Sequence, residues 1–227
     1  MKKVVLKISG EYLKEDRENV SIKKLEHIGI IIKKLLDNNF YISVVIGGGN
    51  FFRGRSNTNM DKVTGDTIGM LSTVMNSLYL KDYLNSINIE AIVTTPFDFP
   101  GLLENYSKED IKNYSGVTIF GGGIGKSGFS TDSAVVNASL ITESPIIIKL
   151  TNVDGVYDKD PNKDISAIMF EDITYDEVLK RNLEVMDIYA INECKKLDKK
   201  IIVMNINDIE NIDRFINNEK VGTIIHN

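Results

Sequence analysis

Apolar positions in this chain fall into short, nearly continuous runs separated by longer periodic ones. The short runs are Val4 to Ile8, Tyr41 to Ile46, Ala91 to Thr94, Val117 to Phe120, Ile146 to Leu150 and Ile201 to Met204. Their β-branched content and near-absence of polar alternation predict strands covered on both faces, as in a parallel sheet. The segments between them read differently. Leu25, Ile28, Ile32, Leu35 and Leu36 share one side of a helix running from Ser21 to about Asp37, with Ser21 as its cap. Met70, Leu71, Val74, Met75 and Leu78 recur at helical spacing and predict a long helix over Asp61 to Leu84. Shorter helices fit Asp132 to Ile141, Tyr175 to Lys180, Asp187 to Lys196 and Ile209 to Asn217, and Gly222 to Ile225 fits a last strand. Strands alternating with helices place the chain in the α/β class. Its 227 residues suffice for one large domain or two small ones, and no linker, repeat or low-complexity tract divides them.

Open α/β sheets bind ligands beyond the C-terminal ends of their strands. Lys7 to Gly10, the Gly47 to Asn50 turn, the Gly121 to Gly125 turn and the loop after Lys149 all fall at such ends, and three of them carry glycine. The third continues as GGGIGKSGFSTD, Gly121 to Asp132. It is not a P-loop. Gly125-Lys126-Ser127 would need a glycine at 120, where Phe120 stands, and Gly128 breaks the helix that should begin at the lysine. Gly123, Gly125 and Gly128 satisfy G-x-G-x-x-G spacing. The stretch nevertheless follows a late strand and lacks the acidic partner of a dinucleotide fingerprint. It reads as another kind of glycine-rich strand-to-helix turn, either a phosphate site or a bare turn.

Charge and composition narrow the chemistry. A net charge of −5 argues against a broad basic surface for nucleic acid. The opening MKKVVLKISGEYL, broken by Lys7, is neither a signal peptide nor a membrane span. Cys194 is the single cysteine, so no internal disulfide forms, which suits a cytoplasmic setting. His27 and His226 are the only histidines and stand apart from any Cys/His cluster. Zinc, Ser-His-Asp and Cys-His chemistries therefore find little support. Glycine turns, a few cations, hydroxyls and carboxylates remain, a set suited to phosphate. Lys7 interrupts an apolar strand and must either emerge at its end or pair. Arg53 follows the second glycine turn. Asp132, Asp154 and Asp160 are alternative magnesium holders, though each also suits an ordinary cap or turn.

A set of motifs in fixed order then carries a family resemblance. KISGE (Lys7 to Glu11), VVIGGGNFFRG (Val44 to Gly54), GDTIGMLSTVMNSL (Gly65 to Leu78), STDSA (Ser130 to Ala134), KLTNVDGVYDKDP (Lys149 to Pro161), ITYDEVL (Ile173 to Leu179) and VMD (Val185 to Asp187) span almost the whole chain. Together they resemble the bacterial uridylate kinases of the amino-acid kinase superfamily. The resemblance implies a single αβα domain over residues 1–227: a three-layer sandwich with a mainly parallel central sheet. It implies phosphoryl transfer from MgATP to UMP, a homohexamer, and UTP as a feedback inhibitor. Nucleic acid and membrane are not expected partners. By position, Lys7, Ile8, Ser9, Gly10, Gly49, Arg53, Thr151, Tyr157 and Asp160 match the ATP side. Lys7 is the cation for the transition state, with Arg53 and Asp132 as further catalytic residues. Gly48, Asp66 and residues Ile124, Gly125, Lys126, Ser127, Gly128, Phe129, Ser130 and Thr131 match the UMP side. In that match Asp66 takes the ribose hydroxyls, and Ser130 and Thr131 hold the acceptor phosphate. Mg²⁺ enters on the phosphates, with Asp132 or Asp160 as its protein contact.

Two departures stand out. The family pattern GTGNPFFTTD becomes GIGKSGFSTD here, so Ile124, Lys126, Ser127 and Gly128 replace Thr, Asn, Pro and Phe near the expected uracil site. Segment KEDRENV, Lys14 to Val20, is short and glycine-free, unlike that of GTP-activated members, so weak or absent GTP activation is expected. A superfamily kinase for carboxylate or carbamate substrates would have no use for Asp66 with the VMD and NVDGVYDKDP runs. A non-catalytic binding protein would have no use for Lys7, Arg53 and Asp132 together.

Overall fold

The structure is a computed structural model that describes residues 2–52 and 60–227. Strand β1 (Lys2–Ile8) pairs in parallel with β2 (Phe40–Ile46) on one side and with β5 (Ile146–Thr151) on the other. With β3 (Ala91–Thr94), β4 (Val117–Phe120), β8 (Asp172–Thr174), β9 (Lys200–Asn205) and β10 (Thr223–His226) they form one eight-stranded sheet, ordered β3-β4-β2-β1-β5-β9-β10-β8. Strand β10 runs antiparallel to β9, with β8 parallel to β10; the remaining pairings are parallel. A separate hairpin of β6 (Val156–Tyr157) and β7 (Met169–Phe170) follows β5.

Alternation along each strand sorts side chains between two helix layers. Val4, Leu6 and Ile8 join Leu25, Ile28 and Ile32 of α1 (Ile22–Asp37), Leu80 and Leu84 of α2 (Lys62–Ser86) and Ile212 of α7 (Glu210–Ile216) in one core. Val5, on the opposite face, joins Ile111 of α3 (Lys108–Asn113), Val135 and Ala138 of α4 (Thr131–Ile141), Tyr175 of α5 (Tyr175–Lys180) and Ile191 of α6 (Ile188–Lys196). The result is a three-layer αβα sandwich. The chain leaves β1 toward β2 and returns at β5 on its other side. The switch point of the sheet therefore lies between the C-terminal ends of β1 and β5, where a crevice is expected.

The strands and helices expected from periodicity form within a residue or two of their expected ends. A 3₁₀ turn over Gly10–Leu13, helix α3, the β6–β7 hairpin and β8 were not expected. Each is too short to carry a period. Helix α3 buries only Ile111 and owes its start to a capping box between Ser107 and Asp110.

Helix α2 exists where its spacing predicts it, but of its apolar stripe Met70, Leu71, Val74, Met75 and Leu78 only Val74 is buried. Leu71, Met75, Leu78 and Tyr79 are 40–50% exposed, while Ser72, Thr73, Asn76 and Ser77 are buried. Small and polar residues face inward because the helix lies against two glycine turns. A Cβ on Gly48 would fall 2.7 Å from Ser72 Cβ, and one on Gly121 would fall 3.1 Å from Val74 Cα. Larger inward side chains would push α2 away from the strand ends.

Candidate active site

The sheet register brings two lysines together. Lys7 on β1 and Lys149 on β5 are direct Cα partners in adjacent parallel strands, so their side chains leave the same face about 4.8 Å apart at the backbone. Directly opposed like charges destabilise a sheet, so the pair needs anions. Asp132, in the first turn of α4, supplies one: its Oδ1 lies 2.9 Å from Lys7 Nζ, and both side chains are nearly buried. Asp132 Oδ2 accepts a hydrogen bond from the backbone N–H of Asp187 at 3.3 Å. Lys149 Nζ donates to the Val185 carbonyl.

Burial by itself would raise the pKa of Asp132. Attraction to Lys7 and Lys149, together with hydrogen bonds from Lys7 and the Asp187 amide, outweighs burial and holds the carboxyl below its ordinary value. Burial and then repulsion from Lys7 push Lys149 down to about 8, partly offset by Asp132 and Asp187.

Two helix N-termini converge on this cluster. Ser130 caps α4, its Oγ accepting from the Asp132 N–H at 2.9 Å and donating to Asp187 Oδ2 at 2.5 Å. Asp187 in turn caps α6, its Oδ1 accepting from the Ala190 N–H at 2.7 Å. Ser133 Oγ, also directed at Asp187 Oδ2, stands 3.4 Å away. Partial positive charge from both helix starts adds to that of the lysines, and the Asp132 and Asp187 carboxylates offset it. Next to Ser130, the ring of Phe129 meets Tyr189 of α6 edge-on at 5.4 Å.

The first two glycine turns touch through their backbones. A Cβ on Gly10 would sit 2.3 Å from the Gly47 carbonyl oxygen, so position 10 admits no side chain. That carbonyl accepts from Asn76 Nδ2 at 2.7 Å, and Asn76 exchanges a reciprocal amide pair with Asn50 at 2.7 and 2.9 Å. This buried, paired amide network ties the second turn to α2. In the third turn, Gly122 and Gly125 adopt φ of +78° and +75°, and a Cβ on either would lie 2.9 Å from Pro96. The Gly122 N–H donates to Thr73 Oγ1 at 2.8 Å.

Beyond that turn the loop reaches Asp66 of α2. Asp66 Oδ2 accepts from Ser127 Oγ and from the Gly128 N–H, the latter at 2.7 Å. These two hydrogen bonds, the serine first, hold the Asp66 carboxyl below its ordinary value. Lys126 is exposed and makes no hydrogen bond or ion pair among the described residues. Thr131 faces the second glycine turn, its Oγ1 3.8 Å from where a Gly47 Cβ would stand.

On the other side of Lys149 opens a cavity of about 470 Å³. Lys149, Thr151, Val156, Tyr157, Asp160, Arg181 and Val185 line it. Asp160 accepts from the Asn162 N–H at 3.0 Å and pairs with Lys163 at 3.3 Å.

The expected site residues thus fall into three neighbouring groups. Lys7, Asp132, Ser130 and Thr131 stand at the switch point with Ser9, Gly10, Gly48 and Gly49 at the adjoining strand ends. Asp66 meets Ser127 and Gly128. Thr151, Tyr157 and Asp160 line the cavity. Lys7, Ile8, Ser9, Gly10 and Gly49 do not line it. Arg53 lies outside the described residues. Asp154, an alternative metal holder, instead accepts from Asn205 Nδ2 at 2.8 Å. Sequence reasoning assigned no role to Lys149 or Asp187, although both end up in the charged cluster. Lys149 does resemble Lys7 in closing an apolar run, which is the signal that was available.

The family model described as "Amino acid kinase family" matches residues 2–205. A uridylate kinase of Bacteroides thetaiotaomicron is 40% identical over 233 residues, covering 100% of this chain and 98% of the relative. The crystal structure of UMP kinase from Bacillus anthracis superposes with a TM-score of 0.93 at 34% identity, covering 99% of this chain and 96% of that one. The crystal structure of UMP kinase from Ureaplasma parvum gives 0.93 at 33% identity, covering 100% and 99%.

Proposed function

The chain belongs to the amino acid kinase family, and we propose that it transfers the γ-phosphoryl group of ATP to UMP, yielding UDP. The observation that carries this reading is the Lys7–Lys149 pair at the switch point, set between two helix N-termini in a chain that resembles UMP kinases along its whole length. The acceptor is itself a phosphate, largely dianionic at neutral pH because its second pKa is about 6. It attacks without losing a proton, so no general base is required. The two histidines are engaged elsewhere, His27 with the Ile206 carbonyl and His226 with Asp172. Catalysis then consists of bringing two anions together and neutralising charge on the group in flight.

In this reading Lys7 follows the transferring phosphoryl group. Asp132 orients Lys7 through its ion pair and remains ionised. Lys149, which holds its proton less tightly than an ordinary lysine, holds it more firmly once phosphates arrive beside it. Ser130, Thr131 and the N-terminus of α4 receive the UMP phosphate, Asp66 the ribose, and residues 124–129 the uracil. The cavity beyond Lys149 receives ATP between Thr151, Tyr157 and Asp160. Arg53 completes the catalytic set.

Magnesium fits as an ion carried by the nucleotide. Among the described residues no three acidic, histidine or cysteine side chains gather as a metal site. Asp132 is paired with Lys7, and Asp160 with Lys163 and the Asn162 amide. One of these carboxylates can add a contact to an ion already bound by phosphates, where it neutralises their oxygens.

The exposed stripe Leu71, Met75, Leu78 and Tyr79, with Phe51 stacked on Tyr79, supports assembly through α2 into a homo-oligomer, which we take to be a hexamer. One sheet draws strands from both halves of the chain, which supports a single domain. We further propose a cytoplasmic location, inhibition by UTP and little response to GTP. Among the described residues no helix is long and apolar enough to cross a membrane.

A coupled ADP-release assay with UMP, CMP, dUMP, glutamate, aspartate and carbamate tests the reading. UMP should be the preferred acceptor, with CMP far poorer. Faster turnover of an amino acid or of carbamate would overturn it.

A further inference from the structure

We propose that Ser127 is a positioning residue for the acceptor nucleoside, fixing Asp66 so that one carboxylate oxygen is presented to the ribose. The inference rests on the UMP kinase reading and deepens it.

The geometry divides the Asp66 carboxylate between two tasks. Oδ2 receives both the Ser127 hydroxyl and the Gly128 N–H. Oδ1 accepts no hydrogen bond among the described residues. A carboxylate offers about four lone-pair directions, and two donors on one oxygen leave the other free to accept from a sugar hydroxyl. With one oxygen anchored, the plane of the group is set before substrate arrives, so less freedom is lost on binding.

The loop itself gives a reason for such an anchor. Gly125 and Gly128 both sit at positive φ, +75° and +88°, and no atom lies within 4 Å of where a Gly128 Cβ would be. Lys126 and Phe129 are exposed. Ile124, Gly125 and Phe129 pack against neighbours, whereas around Gly128 packing contributes little. There the segment is held by hydrogen bonds to Asp66 at residues 127–128, with Asp187 holding Ser130 beyond. Asp66 belongs to α2 and Asp187 to the start of α6, so the hydroxyl of Ser127 ties the loop to the helix that would carry the ribose contact. Proline, which stands at this position in the family pattern, has neither hydroxyl nor N–H and could not make the tie.

The test uses the full-length wild type with Ser127→Ala and Ser127→Thr. UMP and dUMP binding is measured by titration calorimetry, together with steady-state kinetics. Ser127→Ala should weaken UMP binding about three- to tenfold and raise the KM for UMP equally, with the KM for ATP and kcat within twofold of wild type. It should weaken dUMP binding less, so that discrimination between UMP and dUMP falls. Ser127→Thr, which keeps the hydroxyl, should restore both affinity and discrimination. Equal losses for UMP and dUMP would overturn the proposal by showing that Ser127 orders the loop without acting through Asp66. Tighter UMP binding by Ser127→Ala would overturn it in the other direction, making the contact a competitor of the ribose. Unchanged affinity for both nucleotides would reduce it to a surface contact. If wild type neither binds nor phosphorylates UMP, the functional reading fails first and takes this one with it.

Discussion

Replacing Lys7 by methionine separates catalysis from stability. The side chain is 12% exposed and its Nζ lies 2.9 Å from Asp132, itself 14% exposed. Two costs follow. Loss of a preorganised charge at a transition state is expected to remove about 3–4 kcal/mol, a hundred- to thousandfold in kcat. Breaking a buried ion pair by removing one partner costs about 3–5 kcal/mol when the other charge is left alone. Asp132 would not be left alone, because Lys149 occupies the neighbouring register position and already attracts it. Removing Lys7 also lifts a repulsion from Lys149, whose pKa should rise from about 8. The stability loss is therefore expected to fall below that range, at about 1–2 kcal/mol, while kcat falls the full amount. Coupled ADP release at saturating substrates and urea unfolding at pH 7 measure the two quantities. A kcat within threefold of wild type would show that Lys7 is only a strand-end charge. A stability loss of about 5 kcal/mol would show that Lys149 does not take over as counterion.

Asp66→Asn should raise the KM for UMP while leaving that for ATP nearly unchanged, a loss of about 1.5–3 kcal/mol for a charged hydrogen-bond partner; equal losses for both substrates would place Asp66 elsewhere. Gly48→Ala should destabilise the protein by about 1–3 kcal/mol in urea unfolding, since the new methyl would meet Ser72 Cβ at 2.7 Å and force α2 outward; a neutral result would mean that α2 shifts freely. The depressed pKa of Lys149 carries a pH dependence with a definite sign. Between about 8 and the ordinary lysine value the unfolded chain binds the proton that the ligand-free folded protein has released, so stability from this group rises with pH across that window, by at most about 1.4 kcal/mol per pH unit. Subtracting the unfolding free energies of Lys149→Met from those of wild type over pH 8–10.5 should reveal this rise, and a flat difference would refute the shift.

Local pattern carried a large share of this protein. Runs such as Val117–Phe120 and spacings such as Leu25, Ile28, Ile32 marked strands and helices because a short β-branched apolar run and a 3.6-residue period are both written in the local sequence. The glycine turns were likewise legible as strand-end loops, and the ordered motifs pointed to the family. Three things waited for tertiary structure. The apolar stripe of α2 announced a helix but said nothing about which way it would face; the face was decided by small residues fitting against Gly48 and Gly121. Asp66 and Ser127 meet only because the loop after β4 folds back onto α2. Lys7 and Lys149 stand far apart in the chain, and their adjacency depends on the register between β1 and β5. Parallel neighbours are joined by long crossovers, so no local turn specifies that register; the packing of helices on both faces of the sheet sets it, and with it the charge at the centre of the site.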